Sequence, residues 1–311
     1  MTGGVLIGVD VGGTKVSVAA FGEQPKIEQT DKAAVVEQIV RQVQAAAGGE
    51  SLAAVGVGIP SVVEFDTGRV RSSVNIPLHD VPLRKVLEEQ LGCPVYVDND
   101  ATVAALAEAH DEQGRLDARH LVMLTVGTGV GGGIVIDGKP FRGATGAAGE
   151  LGHTLIAVDP AADPGPHFPQ PGSLEASASG HVLDALAARA ASEHPDSTLA
   201  ALEHPSGPDC VRAAKAGDRA AIEAVAVLGR RLGIGIANAI NTFDPDVVAI
   251  GGGVSAAGEL LLKPAVEHAA GYVLSGAGTQ TEIRIARSGP SAGVRGAALL
   301  ARGELHHERT K

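Results

Sequence analysis

The chain has 311 residues, and at roughly 100–200 residues per domain that length favours two domains. Its 44% apolar content suits a globular protein with a sizeable core, while only 2% aromatic residues, with no Trp, excludes broad stacking platforms for single-stranded nucleic acid. Lys and Arg total 25 against 36 Asp and Glu, a net charge of −11 with no basic cluster, so the chain is a poor polyanion binder and nucleic acid is not an expected partner.

The opening residues read as strand, turn and strand: Val5 to Asp10, then Val11-Gly12-Gly13-Thr14-Lys15, then Val16 to Ala20. Asp31 is expected to N-cap a helix in which Val35, Val36, Ile39, Val40 and Val43 recur at helical spacing, with Gly48 ending it. Leu52 to Gly58 is a buried strand stopped by Pro60, and Pro82 to Leu91 a short helix closed by Gly92. The strand Val95 to Val97 runs into Asp98-Asn99-Asp100, and Ala101 to His110 is helical. The polar stretch Asp111 to His120 is the expected domain boundary. Beyond it a second strand–glycine–strand unit follows: Leu121 to Val126, Gly127-Thr128-Gly129-Val130-Gly131, then Gly132 to Ile136. Two such units, each heading its own α/β segment, point to an internally duplicated fold.

A helix from Leu174 to Ala191 and a polar, Pro-rich stretch from Ser192 to Asp209 come next. A long helix then runs from about Asp218 to Phe243, and its Gly229, Gly233 and Gly235 cost stability unless close backbone packing needs them. Strand Val247 to Ile250 enters Gly251-Gly252-Gly253, and a helix from Gly258 to Ala270, a strand near Ile283 and a helix from Gly293 complete the chain. Cys93 and Cys210 are the two cysteines, too few for a disulfide scaffold or a zinc site of three or four thiolates. The longest uncharged run, Leu121 to Ile136, is short for a bilayer and broken by glycines, and no basic region opens the chain, so a cytoplasmic protein without a membrane partner is expected.

Glycine is the informative excess: 42 of 311 residues against a usual share of ~7%, clustered at strand ends. Gly127, Gly129 and Gly132 fit G-x-G-x-x-G, but a strand follows where the dinucleotide fold needs a helix. A single hairpin would read as a plain tight turn. Two hairpins with Thr14 and Thr128 at their tips read instead as phosphate cradles, because bare backbone lets successive N–H groups converge on an anion. Lys15 is the only basic residue in either turn, so backbone dipoles and a metal would have to neutralise the phosphates. Asp10 beside the first turn either caps it or holds Mg²⁺ through water.

Asp98-Asn99-Asp100 exceeds what one helix cap needs. Asp100, an ionised carboxylate at a helix N-terminus and a strand's carboxyl end, is the expected acceptor of a proton from a substrate hydroxyl. Glu150 and His153 follow a run of small residues from Arg142 to Gly149, as a substrate-lining loop would, and Glu175 at the start of the next helix is a further candidate. Each of the three has a plain surface or first-turn alternative.

Together, Asp10-Val11-Gly12-Gly13-Thr14-Lys15, Asn99-Asp100, Thr125 to Gly133, Glu150-Leu151-Gly152-His153, Leu174-Glu175 and Gly251-Gly252-Gly253 resemble, in order and spacing, the ROK family of bacterial repressors, open reading frames and sugar kinases. The resemblance runs from about Val5 to the C-terminal helix. It implies an α/β, actin-like ATPase (ribonuclease H-like) fold of two lobes with an interlobe cleft. With the polar boundary, it puts one lobe at 1–115, completed by the helix 290–311, and a larger lobe at 116–289. It implies phosphorylation of the 6-hydroxyl of a hexose by ATP and Mg²⁺, with Asp100 as general base. Asn75, Asn99, Glu150, His153 and Glu175 would hold the other sugar hydroxyls. Gly12, Gly13, Thr14, Thr128 and Gly129 would hold the phosphates, with Gly252 and Gly253 near the adenosine, and a homodimer is the common assembly.

Two departures matter. Aligned on Leu174-Glu175, the family's zinc cysteines fall at Pro166, Phe168 and Ser173, and its fourth ligand is His153. His167, Asp159 and Asp163 nearby make a poor thiolate substitute, so no structural zinc is expected and His153 needs another partner. Five prolines between Pro160 and Pro171 are expected to restrict the loop instead. Ser61 stands where the family commonly has Gly, which brings an amino-sugar such as kanosamine or N-acetylglucosamine into consideration. The repressors of the family carry a winged helix before the first phosphate motif; here that motif begins at Val5, which with the acidic charge disfavours a sugar-sensing repressor.

Overall fold

The computed structural model describes residues 4–73, 76–158 and 163–310. They form two compact units. Unit 1 gathers residues 1–119, 133–149 and 288–311, and unit 2 gathers 120–132 and 150–287. The sequence assigned 133–149 to the second lobe. In the structure these residues group with unit 1, because Gly133 lies against the Ala101 carbonyl and Arg142 binds Asp98.

Unit 1 is a sheet of β1 (Val5–Val11), β2 (Lys15–Ala20), β3 (Lys26–Gln29), β4 (Leu52–Ile59) and β7 (Val95–Asn99), in the order β3-β2-β1-β4-β7. A hairpin of β5 (Ser61–Glu64) and β6 (Arg69–Ser73) stands beside it. The helices are α1 (Val35–Ala47), α2 (Leu83–Leu91), α3 (Asp100–Glu108) and α9 (Ala292–Thr310). Strand alternation sorts the side chains between two layers. Ile7, Val9, Val55, Val57 and Ile59 point into one core with Ile39 of α1 and Leu83 and Leu87 of α2. The alternate positions, Gly8 of β1 and Gly56 of β4, are paired across the parallel register and face α9. A Cβ on Gly8 would coincide with the Val294 carbonyl, and one on Gly56 with that of Ala297, so helix backbone rests directly on the sheet. Gly296 on the other side of α9 repeats this contact with Val103 of α3.

In unit 2, β8 (Leu121–Val126), β11 (Val247–Gly251) and β12 (Glu282–Ile285) run parallel with β11 in the middle. β8 turns at Gly127–Gly129 into β9 (Val130–Ile136), whose far end lies in unit 1 and pairs there with β10 (Lys139–Pro140). Helices α4 (Leu174–Ala178), α5 (Gly180–Glu193), α6 (Gly207–Lys215), α7 (Arg219–Phe243) and α8 (Glu259–Ala269) share a core with the sheet, built on Leu124, Leu183, Leu228, Leu232, Ile250 and Leu261. The α7 glycines have the packing role the sequence required of them. Gly229 meets the Leu261 carbonyl of α8, Gly233 that of Ala265, and Gly235 meets Leu174 of α4.

Local expectations differ from the structure at three places. Asp31 does not cap α1: its side chain accepts from Ala33 N, and Ala34 precedes the helix without a side-chain cap. The single helix expected from Leu174 breaks at Ser179, because Gly180 N donates to Gly127 O and no Cβ fits there. The stretch Ser192 to Asp209 contains the start of α6, whose Ser206 and Asp209 form a reciprocal capping box.

Candidate active site

The carboxyl ends of β1 and β7 carry the polar groups of unit 1. Asp98, Asn99 and Asp100 have three different jobs. Asp98 is buried, and its Oδ2 accepts from Arg142 Nε at 2.7 Å while its Oδ1 accepts from Asn99 N at 2.9 Å. Burial pushes its carboxyl pKa up, and the Arg142 guanidinium partly offsets this. Asn99 is the N-cap of α3, accepting from Ala101 N at 2.9 Å and Thr102 N at 3.1 Å. Asp100 therefore need not cap the helix. It occupies the first turn, half-buried, with Oδ1 accepting from Ala101 N. Asn99 Nδ2 also reaches Ser61 O at 3.4 Å. The Ser61 hydroxyl is buried and has no hydrogen-bond partner among the described residues. Asn75 lies outside the described residues.

Arg142, the first residue of the small-residue run before Glu150, is not among the expected site residues. Its guanidinium also stacks 3.4 Å above the Phe65 ring. It thereby anchors the segment leading to Glu150 onto the strand that presents Asp100. The one available signal was a lone charge in a run of small residues.

The first glycine turn joins β1 to β2. Gly12 N donates to Lys15 O at 2.8 Å, Thr30 Oγ1 donates to Gly12 O at 2.7 Å, and Thr14 and Lys15 are exposed beside Gly13. Asp10 sits one pleat earlier on the α9 side, where its carboxyl fills the space a Cβ on Gly293 would need. Its pKa is pushed up from 3.8 to about 6, first by burial, then by the charge of Asp100, with Lys15 opposing. The group is destabilising when ionised. Because the folded pKa is the higher one, its stabilising contribution is present below 3.8 and lost as pH rises through about 6. Asp10→Asn should therefore raise the melting temperature at pH 7.5 and leave it unchanged near pH 4. The gap caps the gain at about 3 kcal/mol. Thermal scans of the two proteins at both pH values test this, and an unchanged melting temperature at pH 7.5 would show that Asp10 carries no such penalty.

The second turn gathers the candidates of unit 2. Gly127 N donates to Gly129 O, and Thr128 is exposed at the tip. Glu175 enters this turn from the start of α4: its Oε2 accepts from Val130 N at 2.7 Å and lies where a Cβ on Gly129 would be. Gly152 packs on the Val130 carbonyl with no room for a Cβ, which explains the glycine between Glu150 and His153. Those two side chains are exposed and approach each other, Oε2 to Nε2, at 3.8 Å. Gly252 has φ +82° and abuts Val126, so that β11 ends against the same turn. A pocket of about 640 Å³ opens here, lined by Thr128, Gly253, Val254, Asp184, Arg212 and Lys215 among others.

A model of the ROK family matches residues 6–304. The chain belongs to the ROK family. It is 37% identical over 314 residues to a glucokinase of Halalkalibacterium halodurans, covering 95% of this chain and 94% of that one. It is 34% identical to an N-acetyl-D-glucosamine kinase of Aliivibrio fischeri, covering 94% and 98%. A crystal structure of a ROK family glucokinase from Streptomyces griseus with glucose and AMPPNP matches with a TM-score of 0.81 and 31% identity, covering 96% of this chain and all of that one. The fold is the actin-like ATPase fold that the motifs implied.

For a ROK protein, the zinc positions are the departure. Pro166 has no ligating group, Phe168 presents an apolar ring, and buried Ser173 uses its Oγ to cap α4 by accepting from Ala176 N at 3.2 Å. Among the described residues no three His, Cys, Asp or Glu side chains come together as a metal site. These residues do not fit zinc. Asp159 lies outside the described residues. Magnesium is a different case. It keeps most of its waters and travels with nucleotide phosphates, so it asks for one or two carboxylates rather than a protein cage. Asp10, held at a raised pKa by burial and a second carboxylate, fits that demand.

Proposed function

We propose that this ROK protein transfers the γ-phosphoryl group of ATP to the 6-hydroxyl of a hexose, glucose or a glucose-derived amino-sugar. The observation that carries the reading is the division of labour at the end of β7. Asn99 caps α3 and Asp98 holds Arg142, so Asp100 is the carboxylate set in the first helical turn, where the helix dipole favours negative charge. In the proposed reaction Asp100 accepts the 6-hydroxyl proton as that oxygen bonds to the γ-phosphorus, and the bond from phosphorus to the β-phosphate oxygen breaks to release ADP. Asn75, Asn99, Glu150, His153 and Glu175 hold the sugar's other hydroxyls. Gly12, Gly13 and Thr14, with Lys15, and Thr128 and Gly129 hold the phosphates through backbone N–H and hydroxyl donors. Asp10 holds the Mg²⁺ that comes with ATP and supplies charge neutralisation. The adenosine occupies the pocket at Thr128 and Gly253.

The glucokinase relatives support glucose as substrate. The N-acetyl-D-glucosamine kinase relative and the buried Ser61 hydroxyl, without a hydrogen-bond partner among the described residues, favour a second reading, a sugar whose extra nitrogen or substituent bonds Ser61. A coupled ADP-release screen separates the two, using glucose, N-acetylglucosamine, mannose, fructose and 3-amino-3-deoxyglucose, with polyphosphate as an alternative donor. Turnover of one hexose at least tenfold over the sugar-free rate is expected. Background rates with every sugar and both donors would end the kinase proposal.

A further inference from the structure

The loop 163–173, whose residues do not suit zinc, is organised by its own hydrogen bonds. Its stem is fixed by backbone pairing: Leu174 N donates to Thr154 O, and Ile156 N and Ala157 N both donate to Gly172 O. Its tip is fixed by one side chain. The Gln170 carboxamide accepts from Gly165 N at 2.7 Å and donates to Gly165 O at 2.8 Å, as a neighbouring strand would, and donates to His167 O at 3.1 Å. A single amide thereby closes the loop into a ring. Phe168 lies in this ring, 74% exposed, so that any contact it makes stands out. It makes one: its ring meets the His153 imidazole edge-on, with centroids 5.4 Å apart and planes at 78°. This is a favoured aromatic geometry. With Glu150 3.8 Å from Nε2, the imidazole is bounded by a carboxylate and by an aromatic face.

We propose that the Gln170 amide and the Phe168 ring form a metal-free clasp that sets the orientation of His153 for the sugar. Phe168 and Gln170 are then positioning residues, one acting on the imidazole and the other on the loop that carries Phe168. Phe168 stands at one of the positions aligned with a thiolate ligand, so the residue at that point of the loop still addresses His153, by ring contact instead of through a shared ion. The inference rests on the sugar-kinase reading for its kinetic consequence and not for its geometry.

The test compares histidine-labelled wild type with Phe168→Ala, Phe168→Tyr and Gln170→Ala, the His153 ring resonance being assigned with His153→Gln. Both alanine variants are expected to move that resonance and to raise the sugar KM five- to tenfold, with kcat and the ATP KM within twofold of wild type. Phe168→Tyr, which keeps the ring, should stay within twofold throughout, and zinc in the purified wild type should fall well below one per chain. A His153 resonance unmoved in Phe168→Ala, a moved resonance with unchanged sugar KM, or one zinc per chain whose removal displaces the resonance would each overturn the clasp. Should wild type turn over no hexose, the kinase reading fails by itself, and the resonance with the zinc content still decides the clasp.

Discussion

Asp100→Asn should lower kcat at least ~10²-fold, the scale of losing a general base, and leave hexose binding within a few-fold of wild type. The asparagine keeps the size of the side chain and its acceptor oxygen toward Ala101 N, and the α3 cap is unaffected because Asn99 supplies it. What disappears is the charge that takes the proton. The variant should also show a second sign of the lost charge. Asp100 helps push the pKa of Asp10 up, so Asp10 should titrate below about 6 in the variant. Calorimetric sugar binding, steady-state rates and the acidic limb of kcat/KM for ATP give three readouts from the same protein. Near-native turnover would remove Asp100 from the chemistry whatever the other two show.

The second large effect concerns stability. Gly56→Val should destabilise unit 1 by about 3 kcal/mol or more, at the upper end of overpacking costs. The obstacle is the main-chain carbonyl of Ala297, which cannot swing aside as a side-chain tip would. Gly8 lies beside Gly56 in the register, against Val294, so a shift of α9 to accommodate the valine would be felt along the whole contact. Gly56→Ala should show a smaller loss in the same direction. Urea titration followed by far-ultraviolet circular dichroism measures both, and a midpoint equal to wild type for the valine variant would mean that α9 does not rest on this face of the sheet.

What could be read from the residues was what is local. The glycine turns, the helix at Ala101 and the long helix starting near Asp218 are decided within a few residues, and they stand where patterning put them. The misread features depend on partners far along the chain. The break at Ser179 answers to Gly127, and the membership of 133–149 in unit 1 answers to Ala101 and Asp98. The hairpin of β5 and β6 left little trace, since both strands are short and carry charged residues. For the site, residue types and order pointed to Asp100, Glu150, His153 and Glu175. They did not reveal that Glu175 would dock on Val130 N, that Arg142 would bind Asp98 or that Phe168 would meet His153, because an arginine or a phenylalanine in a loop has no periodic signature.

Unit 1 is assembled from three separated stretches of chain, and the last of them is α9. On the ribosome this sets an order of events. Residues 120–287 can leave the exit tunnel and settle while the sheet made first still lacks its covering helix. Until translation delivers Leu299, Leu300 and Ala301, the surface formed by Ala54, Tyr96, Val103 and Leu106 stays wet. The face of unit 1 that α9 covers is thus closed only once α9 has followed residues 120–287 out of the tunnel.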